Sequence, residues 1–425
     1  MSLSRQRLVA TLVALLSCAW AGPSVLVVPA HAALSRTLPP STWVALSPLP
    51  NQGQSAIFAL SVNPYSNQVV LAGRSDGALL RSGDGGSTWN LVHGAGPPVL
   101  TIAFSPAKTS GVVLAGLRGG GGALASKDGG VTWGSVAGLN GRTVRVIAFA
   151  LTFVVAGTDR GVYSSTDGLV WRQSGLPNTS IGALTVAAVH DPARLVAGSN
   201  LPARGGPLFQ SIDGGTTWVQ MKAGISGNVI SAVAAGPLPP ASTIRPLVVG
   251  TNTGLFTSAD NGSTFKPVSG GGLLPSTDYT QIAFVTTHFD RFYAASDGGE
   301  SASGGLWRTR DSARHFASLA PPMSSVTALA VSNDETPILY VATIRPADNV
   351  AALWAYSDTG AAPQGVPATP TPIASGSRTS PPPQAGASGI SQLLLSARTP
   401  YIAIGLVALI VILMAVVSHF RSRRG

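Results

Sequence analysis

The chain has 425 residues, 45% of them hydrophobic and only 10% charged, with 50 glycines, 32 prolines and a single cysteine. That balance suits many short turns between buried strands over a length that can bury a large core, and one cysteine excludes a disulfide framework. The net charge of +10 shrinks to 22 basic against 17 acidic residues once two arginines near the start and three at the end are set aside, which does not point to a nucleic-acid binder.

Residues 1–32 read as a secretory signal peptide. Arg5 and Arg7 precede a mostly apolar run, Leu8–Ala21, and Ala30-His31-Ala32 supplies a small-residue cleavage site. Two alternatives stay open: retention as an uncleaved anchor, or Leu15-Leu16-Ser17-Cys18 acting as a poor lipobox. The lone cysteine lies inside this leader, and exported domains without disulfides are common in bacteria.

Residues 41–360 repeat. Ser82-Gly83-Asp84-Gly85-Gly86-Ser87-Thr88-Trp89, Ser126-Lys127-Asp128-Gly129-Gly130-Val131-Thr132-Trp133 and Ser211-Ile212-Asp213-Gly214-Gly215-Thr216-Thr217-Trp218 share one frame. Weaker copies centre on Asp167, Asp260 and Asp311, and the aspartates sit 44, 39, 46, 47 and 51 residues apart. One hairpin signature per 40–50 residues predicts a β-propeller. An aspartate before Gly-Gly suits a tight turn, because the carboxylate accepts backbone N–H groups and glycine takes positive φ freely. These aspartates are therefore read as structural. Each unit predicts four strands; in the first they are Ala56–Val62, Val69–Gly73, Gly77–Ser82 and Thr88–Val92. The seventh unit, ending at the turn around Asp358, lacks its fourth strand, and Ser41-Thr42-Trp43-Val44 supplies an orphan one. Pairing the two closes a seven-bladed ring.

The phrase resembles the Asp-box (BNR) repeat of sialidase-like and sortilin-like propellers, and the short-looped form is similar to the photosystem II assembly factor family. The resemblance implies an all-β propeller, with Asp84, Asp128, Asp167, Asp213, Asp260, Asp311 and Asp358 as its structural Asp-box residues. In the non-enzymatic relatives it implies a docking platform for proteins or peptides.

After the ring, residues 361–399 form a proline-, serine- and alanine-rich linker with Pro363, Pro367, Pro370, Pro372 and Pro381–Pro383. Residues 401–420 read as one C-terminal transmembrane helix: Tyr401–Val417 is an unbroken apolar run of 17 residues, close to the ~20 that cross a bilayer. Arg421, Arg423 and Arg424 in the tail 421–425 place it in the cytoplasm and the propeller on the extracytoplasmic side of the cell membrane.

Turns between second and third strands share one end of such a ring with the loops between blades. Arg74, Arg118, Arg160, Arg204 and Arg345 fall in those turns, and Arg142 falls in an inter-blade loop. Guanidinium groups converging there form a candidate anion-attracting ligand surface. The alternative is a cell-surface glycoside hydrolase of sialidase type. That reading asks Tyr279 and Glu300 to meet as nucleophile and helper and offers Asp76 as the acid. The family's early Arg-Ile-Pro signature is absent and the loops are short. No metal-ligand spacing and no phosphate-binding glycine loop occurs, so neither a metal nor a cofactor is expected. The expectation is a membrane-tethered, extracytoplasmic propeller that binds a protein, peptide or surface glycan through its arginine-bearing end.

Overall fold

The computed structural model describes residues 38–361, apart from 52, 54, 189–191, 202–206, 222–223, 226–228, 275–276 and 299–303. The leader, nearly all of the linker, the Tyr401–Val417 run and the basic tail lie outside the described residues. Among those described, no helix is long and apolar enough to cross a membrane.

The described chain folds into seven antiparallel sheets of four strands each. Blade 1 runs Ile57–Asn63, Ser66–Arg74, Leu79–Ser82 and Asn90–His93, within three residues of the bounds expected from sequence. The inner strands of blades 2 to 6 are Val99–Phe104, Val144–Phe149, Ile181–Ala188, Ile230–Ala235 and Gln281–Phe284. Each inner strand packs against the inner strand of the next blade, and that of blade 7, Ser325–Val331, packs against blade 1. The result is a closed seven-bladed propeller.

Composition explains the radial order. Second strands such as Val113–Leu117, Val154–Thr158 and Leu247–Thr251 are mostly apolar and buried at every position, because each is covered by the blades on both sides. Fourth strands are two to four residues long and largely exposed, and short edges offer little to an incoming strand. Blade 7 takes its fourth strand from the N-terminal segment: Trp43–Ala45 pairs with Val350–Ser357 in the register Trp43↔Tyr356, Val44↔Ala355, Ala45↔Trp354. The Trp43 indole is buried, stacks at 4.8 Å on Tyr356 and donates to the Leu319 carbonyl of blade 6. Closure thereby ties three chain segments together.

Two further regularities decide how the blades meet. A small residue in each second strand faces a bulky residue opening the next inner strand. An added Cβ at Gly73, Gly116, Gly157 and Gly198 would lie 2.3–2.7 Å from Val99, Val144, Ile181 and Ile230 side chains, and at Gly250 it would meet the Tyr279 carbonyl at 2.2 Å. In blades 6 and 7 the small residue is Ala295 and Ala342, clustered with Val326 and Ile57. Opposite these positions, six of the seven inner strands carry a register shift between consecutive ladder pairs. The skipped residues are Phe58, Leu100, Arg145, Gly182, Ser231 and Thr327. A bulge re-aims the extra residue, here at the top of the inner strand.

Six of the sequence-predicted aspartates cap their turns alike. Asp84, Asp128, Asp167, Asp213, Asp260 and Asp311 each accept a hydroxyl from the Ser or Thr two residues earlier. They also accept backbone N–H groups two to four residues later; Asp213, for example, takes Thr216 N at 3.1 Å, Thr217 N at 2.9 Å and Thr217 Oγ1 at 2.6 Å. The indoles of Trp133, Trp171 and Trp218 donate to the glycine carbonyl three residues back.

Asp358 departs from this pattern. Its strand ends one residue before the aspartate rather than two, and no following strand needs its turn capped. Buried, it pairs instead with Arg308 and accepts from Tyr293 Oη at 2.6 Å and Gly360 N at 2.9 Å. Arg308 also donates to the Gly360 carbonyl, so the segment leaving the ring is clamped to blade 6.

Candidate functional site: the arginine face and the channel mouth

Backbone hydrogen bonds define the two ends of the ring. At one end the residue after the second strand of blades 1 to 5 bonds to the loop entering the same blade: Ser75 N to Ala56 O, Arg118 N to Pro98 O, Asp159 N to Thr143 O, Asn200 N to Ser180 O and Asn252 N to Val229 O. This end is the arginine face. At the other end the aspartate turns bond to the turns joining first and second strands, as in Gly129 N to Gly111 O and Gly214 N to Ala193 O. This end is the aspartate face, and both described chain ends lie on it: Ser41 N bonds to Ser357 O, and Asp358 N to Pro337 O.

The six candidate arginines do not form one cluster of free guanidinium groups. Arg74 is buried, at 4% exposure, with its guanidinium paired to Asp76 and donating to the Pro50 carbonyl at 2.8 Å. Arg345 forms a fork to Asp348 through two bonds of 2.8 Å. Both were expected to face a ligand, and local carboxylates two and three residues away hold them instead. Arg204 lies outside the described residues. Arg118 and Arg160 are exposed at their turn tips, and Arg142 is half-buried with Nε donating to Tyr163 Oη at 2.9 Å. Among the described residues, the arginines of this face without a carboxylate partner are thus concentrated over blades 2 and 3.

One arginine escaped the sequence reading. Arg145, at the blade 3 bulge, lines a central cavity of about 310 Å³ together with Phe58, Leu100, Thr101, Ser231 and Gln281. Burial pulls its guanidinium below the usual range, Asp159 opposes this, and Arg118 adds to it. Across the mouth, Asp278 accepts from Ser231 Oγ at 2.7 Å; burial pushes its carboxyl up, against that bond, with nearby Asp297 adding like charge. A wider recess of about 430 Å³ opens on the same face, lined by Ser75, Asp297, Pro346 and Asn349 among others. The mouth is therefore bipolar, arginines over blades 2 and 3 facing carboxylates over blades 5 and 6.

The glycosidase constellation is not assembled from its named members. Tyr279 is 1% exposed, its hydroxyl donates to Leu274 O at 3.1 Å, and its ring meets Trp307 edge-on at 5.5 Å. Burial pushes its hydroxyl up to about 12, which disfavours the ionised nucleophile. Burial alone would raise the Asp76 carboxyl, but the Arg74 guanidinium and the Ala78 N–H outweigh it and hold it below the usual range, the wrong direction for an acid. Glu300 lies outside the described residues. Among those described, no group of three or more His, Cys, Asp or Glu is placed to hold a metal ion.

No protein-family model matches the sequence, and no curated protein matches it. Solved structures do share the fold. YCF48 from Cyanidioschyzon merolae is similar at a TM-score of 0.52 and 16% identity, over 74% of this chain and 98% of that one. A structure described as YCF48 bound to D1 peptide gives 0.54 and 16%, over 78% and 100%. The GH74 xyloglucanase from Xanthomonas campestris gives 0.55 and 15%, over 74% of this chain and 55% of the enzyme. At these identities the likeness is one of fold: an all-β, seven-bladed propeller of the architecture that YCF48 and GH74 proteins share.

Proposed function

We propose that this protein is a membrane-tethered docking module that binds a protein or peptide segment across the arginine face. The observation that carries the reading is the pair of exposed guanidinium groups, Arg118 and Arg160, standing beside a polar channel mouth. Exposed arginines at the rim of a concavity steer and orient an acidic segment, and they retain forked donors for carboxylates. Arg142, held by Tyr163, contributes charge between them. The fold it shares with YCF48, of which one structure holds D1 peptide, supports a peptide-binding use of such a ring. Buried Tyr279 and ion-paired Asp76 weigh against the glycosidase alternative, and a surface glycan would have to be held by the same rim.

The tether belongs to the same proposal. A signal peptide exports the chain, the linker joins the ring to the Tyr401–Val417 span, and the ring works on the extracytoplasmic side. Both described ends emerge on the aspartate face, so a tether attached there leaves the arginine face open to a partner.

A photo-crosslinking residue placed at 118 or 160 in cells is expected to capture a discrete partner band, and the paired changes Arg118→Glu and Arg160→Glu, probed from residue 142, are expected to abolish it. Equal capture from Lys127 on the aspartate face, or capture indifferent to charge reversal, would overturn the proposal.

A further inference from the structure

The bulges place one residue per blade around the neck of the channel: Phe58, Leu100, Arg145, Gly182, Ser231 and Thr327, with Thr280 at the corresponding position of blade 6, where its N–H bonds to Ala295 O. Arg145 is the one charged side chain of this ring. Its Nη1 is buried and has no hydrogen-bond partner among the described residues. With the Asn200 amide turned so that its nitrogen donates to Ser180, Asn200 Oδ1 accepts from Arg145 Nε at 3.3 Å and fixes the guanidinium plane. A half-buried cation that lines a cavity and keeps an unused donor is an unfinished interaction, and a charge-assisted bond to the guanidinium completes it.

We propose that this neck is a binding site for a single carboxylate group, received by Arg145. The surroundings fit one carboxylate carried on a short apolar body. Phe58, Leu100 and Ile102 supply an apolar wall, Thr101, Ser231 and Gln281 a polar one, in a cavity of about 310 Å³. Asp159 also stands near Arg145 but accepts from Thr143 N at 3.0 Å, and Arg142, Arg145 and Arg160 outnumber it on blade 3. Asp278 and Asp297 stand on the far side, so an anion is drawn to blade 3 and repelled from blade 6. Arg118 at the rim adds positive charge along the entry. The site goes beyond the docking reading, because it takes a carboxylate whether free or borne on a peptide.

The test is calorimetric titration of the full-length protein with three small probes. N-acetyl-leucine carries a terminal carboxylate, the α-amide of N-acetylglutamic acid carries a side-chain carboxylate, and N-acetyl-leucinamide carries none. At least one acid is expected to bind and the leucinamide not to; which acid binds tells a chain terminus from an acidic side chain as the source. Arg145→Gln is expected to weaken binding about 30-fold, whereas Lys127→Gln on the aspartate face changes it less than about twofold. Arg145→Lys keeps the charge without the fork and is expected to fall between, and it carries the test should Arg145→Gln fail to fold. Equal binding of acid and amide, binding by neither acid, or wild-type affinity in the Arg145 variants would overturn the site. Crosslinking from residue 118 reads the docking surface independently, so the two proposals fail separately.

Discussion

At the residue scale, the aspartate turns show how a short side chain stands in for missing backbone partners. Each carboxylate collects one hydroxyl from the strand behind it and N–H groups from the strand ahead, bonds that stabilise only the ionised form. Bonds from Thr217 and Ser211 hold the Asp213 carboxyl at about 2, and bonds from Thr264 and Ser258 do the same for Asp260. The unfolded chain has ordinary carboxyls near about 3.9 and so binds these protons first. The stabilisation is complete above that value and drains away as pH falls through the folded value. The urea midpoint of the ring is therefore expected to stay flat from neutral pH to about 5, then fall steadily between about 4 and 2. Replacing Asp213 and Asp260 by asparagine should shrink that fall. An unchanged acid limb would mean the bonds contribute nothing. These turns were legible because all their partners lie within four residues. Arg145 was not: nothing in Val144-Arg145-Val146 announces a bulge, and a strand interior gives no reason to single it out.

At the element scale, the contact between blades is a knob and a hole. The second-strand glycines were read as marks of a turn-rich chain, yet Gly73, Gly116, Gly157, Gly198 and Gly250 serve a different end. Each gives up its Cβ so that the next blade's inner strand can close on it. At Gly198 an added Cβ would sit 2.3 Å from Ile230 Cγ2 and 2.6 Å from its Cβ, branched atoms that cannot swing away. Gly198→Ala is expected to destabilise the ring by about 1–3 kcal/mol in chemical denaturation. Combined with Ile230→Ala it should cost less than the sum of the two, since the clash is then gone. Strict additivity would show that the two residues do not share a packing constraint. Asp358 teaches the reverse lesson. It falls in the repeat frame by spacing, but with the adjoining strand supplied from the other end of the chain it became half of a buried ion pair with Arg308.

At the scale of the whole molecule, a ring of seven sheets is stable only if its first and last blades are joined. The three-residue strand Trp43–Ala45 adds to the packing of blade 7 on blade 1 by completing blade 7 with the segment that leads into blade 1. Trp43 reaches past its own blade to the Leu319 carbonyl of blade 6, so its removal opens a cavity, strands an acceptor and loosens the seam together. Trp43→Ala is expected to cost about 3–5 kcal/mol, as for other buried large aromatics, with the loss seen in thermal and urea unfolding alike. A variant as stable as the parent would place the closure elsewhere. The seam also sets where the described chain enters and leaves the ring: both points fall on the aspartate face.

The sequence by itself determined the architecture, the number of blades and the borrowed closing strand, because a propeller is built from local hairpins and each hairpin writes its own turn chemistry into a few adjacent residues. It also placed the arginine-bearing turns on one end of the ring, since strand order within a blade follows from chain order. Which charges on that end stay free follows from the folded contacts. Arg74 and Arg345 are neutralised by neighbouring carboxylates, Arg145 is carried into the channel by a bulge, and Tyr279 is sealed between blades 5 and 6. The last two outcomes depend on packing and register shifts between separate strands, of which local pattern carries no record, whereas the arginine pairs lie within three residues and were settled by the folded shape of each turn.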